Sequence, residues 1–228
     1  MEISVAIPVF NEEKAIKKVI EELIFFLSEN NLNFELVIID DGSTDSTFSI
    51  LQRFRNKGFK MKIIRHRYRQ GIGLAIKDAL LNSQNDWIFL FPGDGQASPL
   101  DLLKMLKFTS NYDIIVGVRE KRADPRYRYI TSDIWKFLIR FFFGISFKDI
   151  NWIKLIKREV LQSLDIKSKS AFIDSEILLR AKKKGFRMIE VPVSHRERFG
   201  GKTKCLAPLI AFDALKDMAK LRKEIREK

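Results

Sequence analysis

Two carboxylates stand side by side at Asp40-Asp41, at the end of the apolar run that begins at Phe34. At the mouth of a buried strand at least one of them is desolvated and needs hydrogen-bond donors, which a nucleotide base or ribose supplies. The residues that follow, Gly42 through Thr47, read as an Asp-Gly turn and a helix start capped by Ser43 or Thr44; that reading leaves the paired acids unexplained. A third acid, Asp94, lies between Gly93 and Gly95, directly past another apolar run. The arrangement suits a carboxylate that reaches a hard cation bridging phosphate oxygens, with Gln96 as a second oxygen ligand. Mg2+ and Mn2+ accept such ligands. Gly71 and Gly73 follow a basic run, Arg65 to Gln70, and open a helix. They could let an anion approach backbone N–H groups at the helix N-terminus, and plain turn chemistry accounts for them equally well.

The elements that must position these residues alternate. Short apolar runs at Ile3–Pro8, Phe34–Asp40, Lys60–Arg65, Asp86–Phe91 and Asp113–Gly117 predict strands. Amphipathic stretches at Glu12–Ser28, Thr44–Lys57, Gly73–Ser83 and Leu100–Thr109 predict the helices between them. Continuous apolar strands separated by helices imply an α/β domain whose mostly parallel sheet is covered on both faces. In such sheets ligands bind beyond the carboxyl ends of the strands, where Asp40, Asp41 and Asp94 fall.

The chain has 228 residues and a formal charge of +13, with a pI near 9.8. A basic excess of this size usually meets phosphate, whether in nucleic acid, on an anionic membrane or on a substrate. No helix-turn-helix, zinc-finger or aromatic RNA-binding signature supports nucleic acid, so nucleic acid is not an expected partner. A single cysteine, Cys205, excludes an intrachain disulfide and points to a reducing compartment. With histidines only at 66 and 195, a four-ligand Cys/His zinc site is excluded as well. His66 and His195 have no evident catalytic partners in the sequence, and structural roles are expected for both. The N-terminus, acidic at Glu2 and broken by Pro8, does not read as a signal peptide. No stretch approaches the roughly 18 apolar residues of a membrane span.

Taken in order, Pro8-Val9-Phe10-Asn11-Glu12, Asp40-Asp41-Gly42-Ser43-Thr44-Asp45, Gly71-Ile72-Gly73, Gly93-Asp94-Gly95-Gln96, Val116-Gly117-Val118-Arg119 and Glu190-Val191-Pro192-Val193 with Arg198, Lys202 and Lys204 resemble a family 2 glycosyltransferase of the GT-A fold. The similarity is greatest to polyprenyl-phosphate (dolichyl-phosphate) mannosyl- or glucosyltransferases and covers about residues 3 to 204. It implies that Pro8, Asn11, Glu12, Asp40 and Asp41 hold the base and ribose of a nucleotide-sugar. It places the family's Asp-x-Asp metal motif on Pro92-Gly93-Asp94, with Pro92 where the first acid stands and Asp94 and Gln96 retained. Asp149-Ile150-Asn151-Trp152-Ile153-Lys154 falls on an element that usually reads acid, Gly-Phe, base; Trp152 reads as core packing. Asp174-Ser175-Glu176 falls on an acidic element near the acceptor, and a helix start explains it equally.

The implied activity is inverting transfer of a hexose from a GDP- or UDP-sugar to a polyprenyl phosphate. A phosphate monoester is mostly a dianion near pH 7, its second pKa being about 6, so it needs no general base. The leaving nucleotide needs a divalent cation and positioned cations. Arg119, Arg122, Arg126 and Arg128 offer guanidinium groups for the acceptor phosphate, and Arg198, Lys202 and Lys204 flank Gly200-Gly201, a stretch suited to closing over anionic substrates. The residues expected to carry catalysis are Asp94, Arg119, Arg128, Arg198 and Lys202.

Residues 128–143 are apolar nearly all round, with Ile130, Ile134, Phe137, Leu138 and Phe141 on one face. Such a helix must be buried in protein or in lipid; with Lys136 and Arg140 interspersed, an in-plane interfacial helix is expected. Residues 206–228 place Ala211, Leu215, Met218, Leu221 and Ile225 along one stripe and lysines along another, as in basic helices on anionic membranes; packing on the domain is the alternative. The expected organisation is therefore a glycosyltransferase domain over 1–204 and a basic amphipathic helix over 205–228, peripheral on the cytosolic face of a membrane. A second reading starts from Pro92 and makes the chain a membrane-associated nucleotide-sugar-binding or regulatory subunit.

Overall fold

The structure is a computed structural model that describes residues 1–121, 126–200 and 208–226. In chain order the elements are β1 (Glu2–Val9), α1 (Ile16–Glu29), β2 (Asn33–Asp40), α2 (Thr47–Arg55), β3 (Met61–Arg65), α3 (Ile72–Asn82), β4 (Trp87–Leu90) and α4 (Asp101–Leu106). They continue with β5 (Ile114–Arg119), α5 (Arg126–Phe143), β6 (Lys154–Lys157), α6 (Arg158–Ser163), α7 (Ile173–Lys183), β7 (Met188–Val193) and α8 (Pro208–Arg226). The strands of the described residues form a seven-stranded sheet of order β3-β2-β1-β4-β6-β5-β7. β1 pairs in parallel with β2 and β4, β2 with β3, and β5 with β7; β6 alone runs antiparallel, between β4 and β5.

Alternation along the strands divides the core into two layers. Val5 and Ile7 of β1, Leu36 and Ile38 of β2 and Phe89 of β4 face one side, where α1 packs with Val19, Ile20, Leu23 and Leu27. Ala6, Ile39, Ile88 and Leu90 face the other, against Ala75, Ile76 and Ala79 of α3 and Ile173 and Ile177 of α7. Both faces of β1, β2 and β4 are therefore dry, which is why these strands read as unbroken apolar runs. Pro8 lacks an N–H but sits beyond the last β1–β4 pair, Ala6 with Leu90, so the ladder on that side loses nothing. Pro192 lies in β7, an edge strand, and the adjacent Val193 turns its carbonyl oxygen inward to the Glu120 N–H.

Several elements differ from expectation. Neither β6 nor β7 is among the predicted strands; β6 is only four residues long and carries a lysine whose side chain is wholly buried. Lys154 Nζ lies 2.6 Å from Asp174 Oδ1 and 2.9 Å from the Trp152 carbonyl oxygen. The first two helices also start later than their apolar patterns, at Ile16 and Thr47, because the residues ahead of them are drawn into the strand-end loops.

α5 is neither fully buried nor fully exposed. Trp135, Leu138, Ile139, Phe142 and Phe143 pack on the second layer, with Trp135 Nε1 donating to Ser175 Oγ at 3.1 Å. Ile130, Ile134, Phe137 and Phe141 face outward, 55–68% exposed. On α8 the buried stripe is Ala214, Met218 and Leu221, with Ile225 partly buried, while Phe212 and Leu215 are exposed. Glu224 fastens α8 to α7 by accepting both Arg180 terminal nitrogens at 3.0 Å; the Arg180 hydrogen bonds, aided by Lys167 and opposed by burial, lower its pKa to about 2. Among the described residues no helix is long and apolar enough to cross a membrane.

Because Lys154 is sealed in, its partner is indispensable while the pair as a whole is not. Lys154→Met alone should cost about 3–5 kcal/mol in urea unfolding, and Lys154→Met with Asp174→Leu should recover most of that loss.

Candidate active site

The six parallel strands end on one rim, and the loops beyond β1 and β2 are zipped together there. Asn11, in a left-handed conformation (φ 53°), donates its N–H to Ser43 Oγ at 2.9 Å and accepts the Thr44 N–H on Oδ1 at 2.8 Å. The Glu12 N–H donates to Thr47 Oγ1 at 2.8 Å, and the Ser46 N–H to Glu13 Oε2 at 3.0 Å. The hydroxyls of Ser43 and Thr44 are therefore not helix caps; they join two loops, and α2 begins after them without a side-chain cap.

The nucleotide-directed acids are turned inward. Asp40 is fully buried, accepting the Ser43 N–H on Oδ1 at 3.0 Å while Arg65 Nε lies 3.2 Å from Oδ2. Through Oδ1 it is a strut of its own turn, while Oδ2 has no hydrogen-bond partner among the described residues. Asp41 is 3% exposed and anchors the loop after β3. Its Oδ1 meets His66 Nδ1 and the Gln70 N–H, and its Oδ2 the Gly71 N–H, all at 2.8 Å. The anion at the α3 N-terminus is thus the protein's own carboxylate, and Gly71 (φ +101°) presents its N–H to Asp41. Gly73 is small for packing: a Cβ there would run into the Ser170 carbonyl oxygen. Neither glycine forms the expected open phosphate loop.

His66 is buried, with Nε2 2.9 Å from Asp78 Oδ2 on α3. Burial opposes its charge, but the hydrogen bonds and attraction of Asp41 and Asp78 outweigh that and raise its pKa above 6.5. It has two carboxylate partners where the sequence suggested none, because Asp78 comes from the next helix and no local motif announces it.

Asp94 accepts the Gln96 N–H on Oδ1 at 3.0 Å. Its Oδ2 accepts from one terminal nitrogen of Arg198 at 2.8 Å, and the other terminal nitrogen donates to Glu12 Oε1 at 2.7 Å. One guanidinium therefore joins the loops beyond β1 and β4. The segment after β7 reaches it along a set of anchors. Ser194 donates its N–H and hydroxyl to Asp101 Oδ2 at 2.9 and 2.5 Å, and the Arg196 N–H donates to the Gln96 carbonyl at 2.8 Å. The Phe199 ring lies over Gly95, leaving no room for a Cβ. Gln96 turns its amide nitrogen to within 3.3 Å of His195 Nε2, whose ring packs edge-on against Trp152 at 4.9 Å.

Arg119 is held by the protein's own groups. Its guanidinium is 8% exposed, donates to Asp149 at 2.7 and 2.9 Å, and lies 4.8 Å from the Trp152 ring. A phosphate would have to share it with a buried carboxylate, so here it positions Asp149 and Trp152. Asp174 and Glu176 hold Lys154 and Arg180, which favours the helix-start reading over an acceptor site. The side chain of Arg128 lies outside the described residues, as do Arg122, Lys202 and Lys204. Among the described residues no group of three or more His, Cys, Asp or Glu is arranged to hold a metal ion. Asp94, with the Gln96 side-chain oxygen, is nevertheless a hard-oxygen donor set, and Asp94 and Glu12 already share one cation. The set fits Mg2+ or Mn2+ once Arg198 yields Asp94.

A family model described as glycosyl transferase family 2 matches residues 4–165, and the chain belongs to that family. An uncharacterized protein of Methanocaldococcus jannaschii is 32% identical over 205 residues, 82% of this chain and 85% of that protein. An undecaprenyl-phosphate 4-deoxy-4-formamido-L-arabinose transferase of Edwardsiella ictaluri is 26% identical over 206 residues, 89% of this chain but 62% of the transferase. Among solved structures, glucosyl-3-phosphoglycerate synthase of Mycobacterium tuberculosis with Mg2+ and UDP is similar at a TM-score of 0.73 and 18% identity, covering 96% of this chain and 78% of that one. The likeness establishes the GT-A fold.

The raised His66 pKa has a definite sign. Charged His66 stabilises the fold fully below pH 6.5, and that contribution is lost as pH rises through the higher folded-state value. Urea midpoints should therefore fall as pH rises above 6.5, with a component that His66→Gln removes.

Proposed function

We propose that the chain transfers a hexose, mannose or glucose, from a GDP- or UDP-sugar to a polyprenyl phosphate at the cytosolic surface of a membrane, inverting the anomeric carbon. The observation that carries this reading is the joining of the β1, β4 and β7 loops on one rim through Glu12, Asp94 and Arg198. Family membership supports glycosyl transfer, and the undecaprenyl-phosphate relative supports a lipid-phosphate acceptor. The UDP-bound synthase, solved with Mg2+ and also with Mn2+, supports a nucleotide donor and a divalent ion.

In this reading Asp94 and Gln96 hold the cation, which when bound neutralises charge on the departing diphosphate. The loops carrying Asn11, Glu12 and Asp41 form the wall for base and ribose, with Asp41 setting the course of the β3 loop. Arg198 lies where donor and acceptor phosphates meet, and its planar fork matches two phosphate oxygens. The acceptor attacks as a dianion, so the site requires no histidine base; His66 and His195 serve as supports.

The membrane assignment rests on α5. Its outward stripe of Ile130, Ile134, Phe137 and Phe141, with Phe212 and Leu215 of α8 exposed as well, exceeds the scattered apolar residues of an ordinary surface. An in-plane helix flanked by Lys136 and Arg140 would bury that stripe in the acyl boundary. Residues 1–204 would then be the catalytic unit, with 205–228 a basic helix packed beside it. Pro92, standing where the first metal acid is expected, favours a second reading in which the chain binds nucleotide-sugar without transferring it.

Incubation with GDP- and UDP-hexoses, Mg2+ or Mn2+ and polyprenyl phosphate should yield a glycolipid with one donor. Nucleotide binding by calorimetry with no product from any donor would establish the second reading instead. Ile134→Asp with Phe137→Asp should reduce co-sedimentation with anionic vesicles by about tenfold or more while leaving the circular dichroism spectrum unchanged.

A further inference from the structure

Arg198 occupies the Asp94 oxygen that the proposed reading gives to a cation. Its two terminal nitrogens are spent on Glu12 and Asp94, residues 186 and 104 positions away in sequence, at 2.7 and 2.8 Å. The three side chains are 19%, 9% and 14% exposed, so the contacts are only partly screened by water. Two carboxylates brought this close repel each other unless positive charge lies between them. Arg198 supplies it, on a chain whose metal motif has Pro92 in place of one acid.

We propose that Arg198 and a divalent cation are alternative counter-ions of Asp94, and that loading the cation releases the guanidinium to take a substrate phosphate. The proposal deepens the reading of Asp94 as the metal-bearing acid and rests on it. A divalent ion attracts a carboxylate twice as strongly as a guanidinium at equal distance, but Mg2+ sheds its water reluctantly. Exchange by the ion alone is therefore hard. It becomes favourable when the expelled guanidinium finds a second anion of matching geometry, and a diphosphate or phosphate monoester is such an anion.

The local construction permits this exchange without unfolding the segment. Ser194 and Arg196 are fixed by Asp101 and by the Gln96 carbonyl, and Arg196 also reaches Glu22 and Ser98 at 2.9 and 2.5 Å. The chain is held at residue 196 and again at Phe199, whose N–H donates to the Asp94 carbonyl oxygen at 3.2 Å. Arg198 lies between these two anchors, so its backbone can stay in place and rotation about its own side-chain bonds is enough. The empty-handed protein thus keeps Asp94 neutralised and presents a weak metal site; donor, cation and freed arginine assemble together.

The test reads metal binding directly, on the full chain without donor or acceptor. Free Mn2+ is followed by electron paramagnetic resonance during titration of wild type, Arg198→Ala and Arg198→Lys. Arg198→Ala should bind Mn2+ about tenfold or more tightly than wild type, with Arg198→Lys between them; equal or weaker binding by Arg198→Ala would overturn the proposal. A second measurement needs no variant to fold. In wild-type protein the Arg198 guanidinium N–H resonances, held by two carboxylates, should move to new, phosphate-bound positions when Mg2+ and UDP or GDP are added together. Their persistence at the original positions at saturation would also overturn it. Because neither readout involves sugar transfer, absence of product with every donor would defeat the proposed reaction while leaving this exchange standing, and the converse holds.

Discussion

A parallel sheet gathers the ends of its strands on one rim, and here those ends are acidic. Every buried carboxylate on the rim must bring its own donor or cation, since leaving it bare in low dielectric costs several kcal/mol. Asp40 takes the Ser43 N–H and Arg65, Asp41 takes His66 with two backbone N–H groups, Asp149 takes Arg119, and Asp94 with Glu12 takes Arg198. Apart from the Ser43 N–H, each partner comes from a different strand end or loop than the acid it neutralises. Neutralising the rim is therefore the same event as folding the loops, and the site's shape follows from its charge balance.

That coupling explains what could be read from the sequence. Runs apolar on both faces identify β1 through β5, and the spaced helices follow from 3.6-residue periodicity, because each pattern is local. β6 escaped because four residues with a buried lysine carry no periodic signal, and its partner Asp174 lies on another helix. Asp41 and Asp94 were legible as acids at strand ends, and their neighbours were not: His66 finds Asp78 one helix on, and Arg198 finds Glu12 at the far end of the chain. Gly71 and Gly73 illustrate the same limit. Their types signal close approach, but only the fold tells that the approaching groups are Asp41 and the Ser170 carbonyl.

The helices on the second face show how packing divides an ambiguous pattern. α5 is apolar on most of its circumference, and α7 claims the side bearing Trp135, Ile139 and Phe143. What is left outward is a straight stripe at 130, 134, 137 and 141, spaced as one helical face. α8 is likewise split, its Ala214–Met218–Leu221 side against the core and its lysines outward. A single apolar helix thus serves both the core and an external surface, so substitutions on its two sides have separable effects.

Pro192 closes the account of the sheet. Main-chain N–H and C=O groups of one strand residue point the same way and alternate along the strand; since Val193 faces β5, the proline nitrogen faces away from the sheet. The outer margin of β7 therefore lacks a donor where an incoming strand would need one. Growth of the sheet by another chain is discouraged on that side, and any assembly of this protein there has to be made through side chains or helices rather than by extending the ladder.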